Sequence, residues 1–522
     1  PSSAASYTVT AHDGSLSGAA TVSVVASASG GLQNAFLSQL VQSLDADGSI
    51  SRNDMIQILD SVSAKGAVTT SELADLKKIV SEATTLNMAG YVQVLASDVV
   101  NGNTANATYQ GQALGNLAVG SSATQFNDLV GKWFLGTDLP TLTDSSLVYK
   151  TAAGSLFPTA PSHNNELQGE LGDCYFISAL GTIADKNPAA IENMFINNGD
   201  GTYTVRFYTG NYGSSYNSSD GSYSDGFTNG SGTADYVTVN LSLATTASGM
   251  LYYSDYGSSY SNANNALWIP LAEKAYAEWN QTGKEGRDGQ NSFASIEGGW
   301  MATVDAQVLG HNATDYMMGT ATQQQLVNAL ASGEAVTIGT TQTIYGLYGS
   351  HAYAVTGYNA SSNTFTLYNP WGFDQPGQLT WAQLEASCSG FVAVNAAGST
   401  AISGAPKVVV GATLKSEAIS AASAASAGQD ATAANDAWFA SGASASVTDH
   451  ASHDLAQQSG SDTVAKFAAS NSAGSATSSS TTDEHLSGDH HSLETEAHSQ
   501  LSSLAIKGLN GAAAADPWAI RA

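Results

Sequence analysis

Gln168-Gly-Glu-Leu-Gly-Asp-Cys174-Tyr-Phe-Ile-Ser-Ala-Leu180 is the stretch that decides the fold. Gly172-Asp173 reads as a turn, and Phe176, Ile177, Leu180 and Ile183 recur at the spacing of one helical face, so a helix is expected to begin at Cys174. A thiol in that first turn meets the partial positive charge of the helix N-terminus, which favours thiolate, the form that attacks a carbonyl. Downstream, Gly349-Ser-His351-Ala-Tyr-Ala-Val355 and Leu367-Tyr-Asn369-Pro-Trp371-Gly372 supply an imidazole and an amide. His351 can take the thiol proton, and Asn369 can hold the ring in one tautomer by accepting its N–H. Gln168, six residues before the thiol, can join the Cys174 backbone N–H in donating to the oxyanion of a tetrahedral intermediate.

Between these blocks lies Leu267-Trp268-Ile-Pro-Leu-Ala-Glu273-Lys274-Ala-Tyr276-Ala, followed by Ile296-Glu-Gly298-Gly299. Gln168–Leu180 is similar to the Q-G-x-L-G-D-C block of the calpain family of papain-like cysteine proteases. The middle block resembles that family's W-x-x-L-x-E-K-A-Y-A segment with its later glycine pair, and the third block resembles its His and Asn-Pro-Trp segments. Three blocks in the right order and spacing are specific where one is not. The resemblance covers about residues 155–397 and neither flank. It implies an α+β fold, a papain-like core of two lobes, with Cys174 as nucleophile, His351 as general base and then acid, Asn369 as orienter and Gln168 as oxyanion donor. It also implies that Trp371 shields the imidazole–amide bond from water, which strengthens it, and that Gly298-Gly299 falls near the hinge. Tyr175 stands where the family usually has Trp, a change expected in the cleft wall. The family's calcium ligands within the core are not carried over.

The bland alternative for any cysteine is a small buried hydrophobe, and Cys388 reads that way. Six of the ten histidines lie beyond residue 401, and His12, His163 and His311 sit in no such motif, so His351 has little competition. Composition bounds the rest. Forty-four acidic against 16 basic residues give a net charge of −28, which argues against nucleic acid as a partner and against anionic membrane surfaces. No apolar run reaches membrane-spanning length. Two cysteines make no disulfide framework, while many Gly, Asn, Ser, Thr and Asp with few Lys suggest bacterial export to the medium or the cell surface. Pro1 opens neither on Met nor on a signal peptide, so the chain is expected to begin inside a longer precursor.

Residues 1–29 are expected to form the end of an immunoglobulin-like or cadherin-like β repeat, a hairpin around Asp13-Gly14. Residues 30–100 read as a helical, EF-hand-like region. Residues 101–150 read as a linker and lead-in, with 101–125 the linker proper. Residues 151–299 carry the Cys lobe, 300–400 the His and Asn lobe, and 401–522 a low-complexity Ala/Ser-rich tail with only Trp438, Phe439, Phe467 and Trp518 as aromatics, expected to be largely disordered. In the EF-hand register Ser43 is position 1, Asp45 and Asp47 are 3 and 5, Ser49 offers its carbonyl at 7 and Asp54 is 12, so Ca2+ is the candidate ion, weighed equally against a plain acidic turn. Thr69-x-x-Glu72 reads as a capping box. Asn211–Gly232 and Tyr252–Asn265 read as loops, more simply solvated surface hairpins than substrate contacts. The tail's His485, His490, His491 and His498 read as incidental rather than as a metal site.

The function expected from these residues is cysteine endopeptidase action on protein or peptide, its own precursor or neighbouring surface proteins being the candidate substrates. The chemistry requires no cofactor. The rival is a catalytically silent protease-fold module of a surface adhesin or scaffold.

Overall fold

The computed structural model describes residues 5–13, 16–24 and 31–397, so the expectations for 401–522 lie outside the described residues. Strands Ala5–Asp13 (β1) and Leu16–Val24 (β2) pair antiparallel, with Ala5 opposite Val24 and Asp13 opposite Leu16.

Four helices come next: Ala35–Leu44 (α1), Arg52–Ser63 (α2), Thr70–Ser81 (α3) and Gly90–Val100 (α4). Their starts are written locally. Asn34 caps α1, while Ser51 with Asp54 and Thr69 with Glu72 form reciprocal capping boxes on α2 and α3. The turn between α1 and α2 is a single 3₁₀ turn, Asp45–Asp47, closed by Gly48 at φ 90°, a left-handed conformation that suits glycine.

Residues 101–150 correct the linker expectation. They hold the hairpin Thr108–Tyr109 (β3) and Gln112–Ala113 (β4), helix Ala123–Leu135 (α5) and strand Val148–Thr151 (β5). Asn106 is wholly buried and fixes the segment: its amide donates to Asp98 O and Asn116 Oδ1, both at 2.8 Å, and its oxygen accepts the Trp133 indole N–H at 2.7 Å. The polar composition that suggests a linker is here the wiring of a packed segment. One continuous apolar core runs from Leu37 in α1 through Phe126, Trp133 and Phe134 in α5 to Ala396, so the helical region shares its core with segments that follow it.

Beyond β5 the chain forms Cys174–Lys186 (α6), Pro188–Glu192 (α7), Phe195–Asn197 (β6), Thr202–Thr209 (β7), Tyr212–Asn217 (β8), Ser222–Phe227 (β9), Thr233–Asn240 (β10), Ser242–Thr245 (β11) and Trp268–Asn280 (α8). After α8 lie Met301–Leu309 (α9), Ala313–Met317 (β12), Gln323–Ala331 (α10), Ala335–Thr340 (β13), Ala352–Asn359 (β14), Thr364–Tyr368 (β15), Gln378–Thr380 (β16), Trp381–Ser387 (α11) and Cys388–Val394 (β17). The main sheet has eight strands in the order β16-β15-β14-β13-β17-β12-β9-β8.

Asn211–Gly232, read as a loop or surface hairpin, is indeed a hairpin, but β9 pairs with β12 and so adds this segment to the edge of the main sheet. The sheet is therefore not built from residues after 299 alone. Both faces of its centre are buried, and the alternation of β17 shows how: Val392 and Val394 join the larger core, whereas Phe391 and Ala393 join a second core under α10 and α11 with Ile338, Tyr353, Phe365, Leu326 and Leu384. Helix α6 packs against β13 and β14. That packing brings Cys174 next to the start of β14, where His351 lies.

Candidate active site

Cys174 is the first residue of α6, 1% exposed, as the turn at Gly172-Asp173 predicts. Helix α6 packs on β14, and the backbone N–H of Ala352, immediately after His351, acts on the thiol in the direction that favours thiolate. Expectation and structure part on the charge of the thiol. Burial pushes Cys174 up to about 12, outweighing the N–H groups of Ala352, Tyr175 and Cys174 itself, which favour thiolate, and Asp173 adds to the rise. The helix N-terminus acts in the expected direction, but desolvation of the buried thiol is larger.

His351 is 5% exposed and precedes β14. Its Nε2 lies 2.9 Å from Asn369 Oδ1, and Asn369 is fully buried at the end of β15. The same Oδ1 accepts the Trp371 N–H at 3.2 Å, while Asn369 Nδ2 donates to Asp374 O at 3.4 Å. Those partners fix which end of the amide is oxygen, and therefore Nε2 is the donor and Nδ1 carries the lone pair. Trp371 covers the ring with centroids 4.7 Å apart. Burial pulls His351 down to about 4, partly offset by the bond to Asn369.

Gln168 is buried, and its backbone N–H donates to Pro370 O at 2.9 Å, which ties the segment before the nucleophile to the segment after Asn369. One N–H of its side-chain amide goes to Leu171 O at 2.7 Å, leaving the second as the available donor. Cys388 is the buried small residue expected, on β17 and 3.5 Å from Ser387 Oγ.

Tyr175 is not part of a cleft wall. It is 1% exposed, its hydroxyl donates to Ile296 O at 2.9 Å, and a Cβ placed on Gly299 would lie 2.3 Å from its ring. Gly299 is thus needed for close approach rather than for hinge freedom. Arg287 locks the same loop by donating to Ser295 O, Glu297 O and Gly298 O at 2.7, 2.8 and 2.7 Å, and Gly298 N–H donates to Gly172 O at 2.8 Å, two residues before the thiol.

Several supporting residues escape sequence reasoning. Thr340 brackets the His351 backbone, accepting its N–H at 3.1 Å and donating its own N–H to His351 O at 2.8 Å. Gln375 does the same for Asn369, at 2.8 and 3.2 Å. Asp173 and Glu273 are a buried carboxyl pair behind the nucleophile. Burial, reinforced by the neighbouring Glu273, raises Asp173 well above the carboxylate range, and burial raises Glu273 to about 7. Thr340 and Gln375 carry no sequence signal beyond residue type, because they hold backbone atoms, whereas Asp173 and Glu273 stand inside the quoted blocks and only their pairing across about a hundred residues is hidden.

The tentative calcium residues do not converge. Ser43 lies in α1, Asp47 Oδ1 accepts Ser49 N–H at 3.1 Å, and Asp54 Oδ2 is held in the α2 capping box by Ser51 at 2.9 and 2.6 Å. Asp45 is raised by burial and by Asp47. Among the described residues no three His, Cys, Asp or Glu side chains form a group able to hold a metal. Nor, among them, is any helix long and apolar enough to cross a membrane.

Residues 150–384 match the family model of the calpain family cysteine proteases, a range that contains Gln168, Cys174, His351 and Asn369. No curated protein matches the chain. Over residues 150–384, then, the chain is similar to the calpain family cysteine proteases, which indicates a cysteine-type peptidase.

Proposed function

We propose that the chain is an endopeptidase that cuts peptide bonds through Cys174, His351 and Asn369, by way of an acyl-enzyme, in a papain-like arrangement of two lobes. One observation carries this reading: a buried imidazole whose Nε2 is committed to Asn369 Oδ1 at 2.9 Å, at the entry to β14, the strand that packs against the helix Cys174 begins.

The chemistry is set by that tautomer. His351 Nδ1 takes the Cys174 proton as sulfur bonds to the substrate carbonyl carbon. The oxyanion takes hydrogen bonds from Gln168 and the Cys174 N–H. The imidazolium then returns its proton to the leaving amine as the C–N bond breaks. Water, deprotonated by the same Nδ1, releases the acyl group as a carboxylic acid and restores the thiol. Because burial favours the neutral thiol and imidazole, proton transfer belongs to the attack step instead of preceding it.

The substrates we propose are the chain's own precursor or surface proteins beside it, in an exported or surface-bound bacterial protein. A peptide library and a Cys174→Ala copy of the chain, incubated with the pure protein and read by mass spectrometry of the cut ends, test both parts. Cleavage that persists in a reaction containing only Cys174→Ala overturns the assignment. A silent scaffold would show no cleavage, and no epoxide labelling of Cys174 that depends on His351.

A further inference from the structure

Large hydrophobic side chains exposed singly are ordinary on a protein surface, but a contiguous group is not. Of the eleven exposed among the described residues, four (Ile344, Tyr345, Tyr348 and Phe373) stand on the two loops that flank His351 and Asn369. Two of them, Tyr348 and Phe373, continue a line of rings that begins at the imidazole. Trp371 lies 4.7 Å from His351, Tyr348 4.6 Å from Trp371, and Phe373 5.8 Å from Trp371 in a stacked arrangement.

The two loops are built, not loose. Tyr348 donates its hydroxyl to Asp374 Oδ2 at 2.9 Å and its N–H to the Tyr353 hydroxyl at 2.9 Å, and Gly349 N–H donates to Thr343 Oγ1 at 2.9 Å. Tyr345, Ser350 and Asp374 hold φ of 57°, 54° and 50°, which non-glycine residues adopt only at a cost. Between the loops is a cavity of about 410 Å³, with Ile344, Leu347 and Tyr348 on its wall and Asp374 and Gln375 beside them.

The reaction decides which part of a substrate meets this surface. On the reading proposed above, the amine that leaves takes its proton from the His351 ring, so the residues on the leaving-group side of the scissile bond pass over the imidazole and out along whatever adjoins it. Its neighbours are Trp371, then Tyr348 and Phe373. We infer that this aromatic ledge and its cavity form the leaving-group subsite, and that it selects large apolar or aromatic side chains in the first two residues after the cleaved bond. The inference rests on the protease reading and adds a substrate class to it. Acidic side chains are disfavoured twice, by the apolar wall and by Asp374 at its edge.

The test uses two internally quenched peptides, identical up to the scissile bond and continuing Phe-Leu in one and Ser-Gly in the other. The full chain is expected to cleave the first with kcat/KM higher by about 10- to 100-fold. In a Phe373→Ser, Ile344→Ser variant, which removes one ring of the ledge and one wall of the cavity, that ratio is expected to fall toward one, and a ratio measured within one preparation does not depend on how much of the variant is folded. Equal cleavage of both peptides by the parent chain, or a ratio unmoved in the variant, overturns the ledge while leaving the protease reading intact. A parent chain that cuts neither peptide, and whose Cys174 resists alkylation, overturns the protease reading and the ledge with it.

Discussion

Asn369 presents Oδ1 to His351 Nε2 at 2.9 Å in a site where the amide is wholly buried and Trp371 lies over the ring. The amide thereby selects the tautomer that leaves Nδ1 as the base.

Replacing Asn369 by Ala should free the ring and leave a buried N–H without a partner, at a stability cost of about 1–3 kcal/mol. Peptide kcat is expected to fall about 10²-fold or more, with KM changed little, as befits a group acting through general acid–base catalysis. Steady-state kinetics with thermal melting check this; a loss confined to KM would contradict it.

The neutral thiol and imidazole predict an unusual alkylation profile. Iodoacetamide should modify Cys174 faster at each step from pH 6 to 9, because the thiol is held near 12 and its thiolate fraction keeps rising. A preformed thiolate–imidazolium pair would instead give a flat rate over that range. Mass-resolved alkylation of Cys174 and Cys388 distinguishes the two profiles.

Gly299→Ala should destabilise the fold by about 1–3 kcal/mol, since the added carbon would lie 2.3 Å from the Tyr175 ring. A smaller side chain at 175 should relieve the clash, so Gly299→Ala with Tyr175→Leu is expected to lose less than the sum of the two single changes. Additive losses in denaturant unfolding would show that the ring and the glycine do not meet as described.

Buried carboxyls should make the fold more stable in mild acid than in mild base. Burial raises Asp98 and Glu273 to about 7 and Glu285 to about 8, against ordinary values of 3.8, 4.5 and 4.5. Between the ordinary and the raised value, the folded chain holds a proton that the unfolded chain has lost, so stability declines as pH rises, by about 1.4 kcal/mol per unit for each group. His351 acts oppositely: unfolded it binds a proton near 6.5 and folded only near 4, so its contribution is lost as pH falls between them. With three groups against one, Tm is expected to be higher at pH 5.5 than at pH 8, and a Tm that climbs over that range would contradict the assignment.

Calcium removal is expected to leave turnover unchanged, because Asp54 is engaged by Ser51 and no metal ligand group forms among the described residues. Melting and peptide cleavage with and without chelator check this. A lower Tm or a loss of turnover on chelation would contradict this.

The chain alone determined whatever is written over a few neighbouring residues. The start of α6 is set by Gly172-Asp173 and the apolar spacing behind it, and the capping box of α3 by Thr69 and Glu72. The candidate site residues are legible because each sits in a short block whose chemistry is local: a thiol at a turn, an imidazole at a strand start, an amide before Pro-Trp. Only the folded chain decided the rest. Asn106 looks like part of a linker until Asp98, Asn116 and Trp133 close around it, and Tyr175 like a cleft residue until Ile296 and Gly299 bury it. The thiol's proton affinity reverses its local expectation for the same reason. A helix N-terminus belongs to the sequence around Cys174, whereas the loss of water around its sulfur comes from packing by residues more than a hundred positions away, and desolvation is the larger effect.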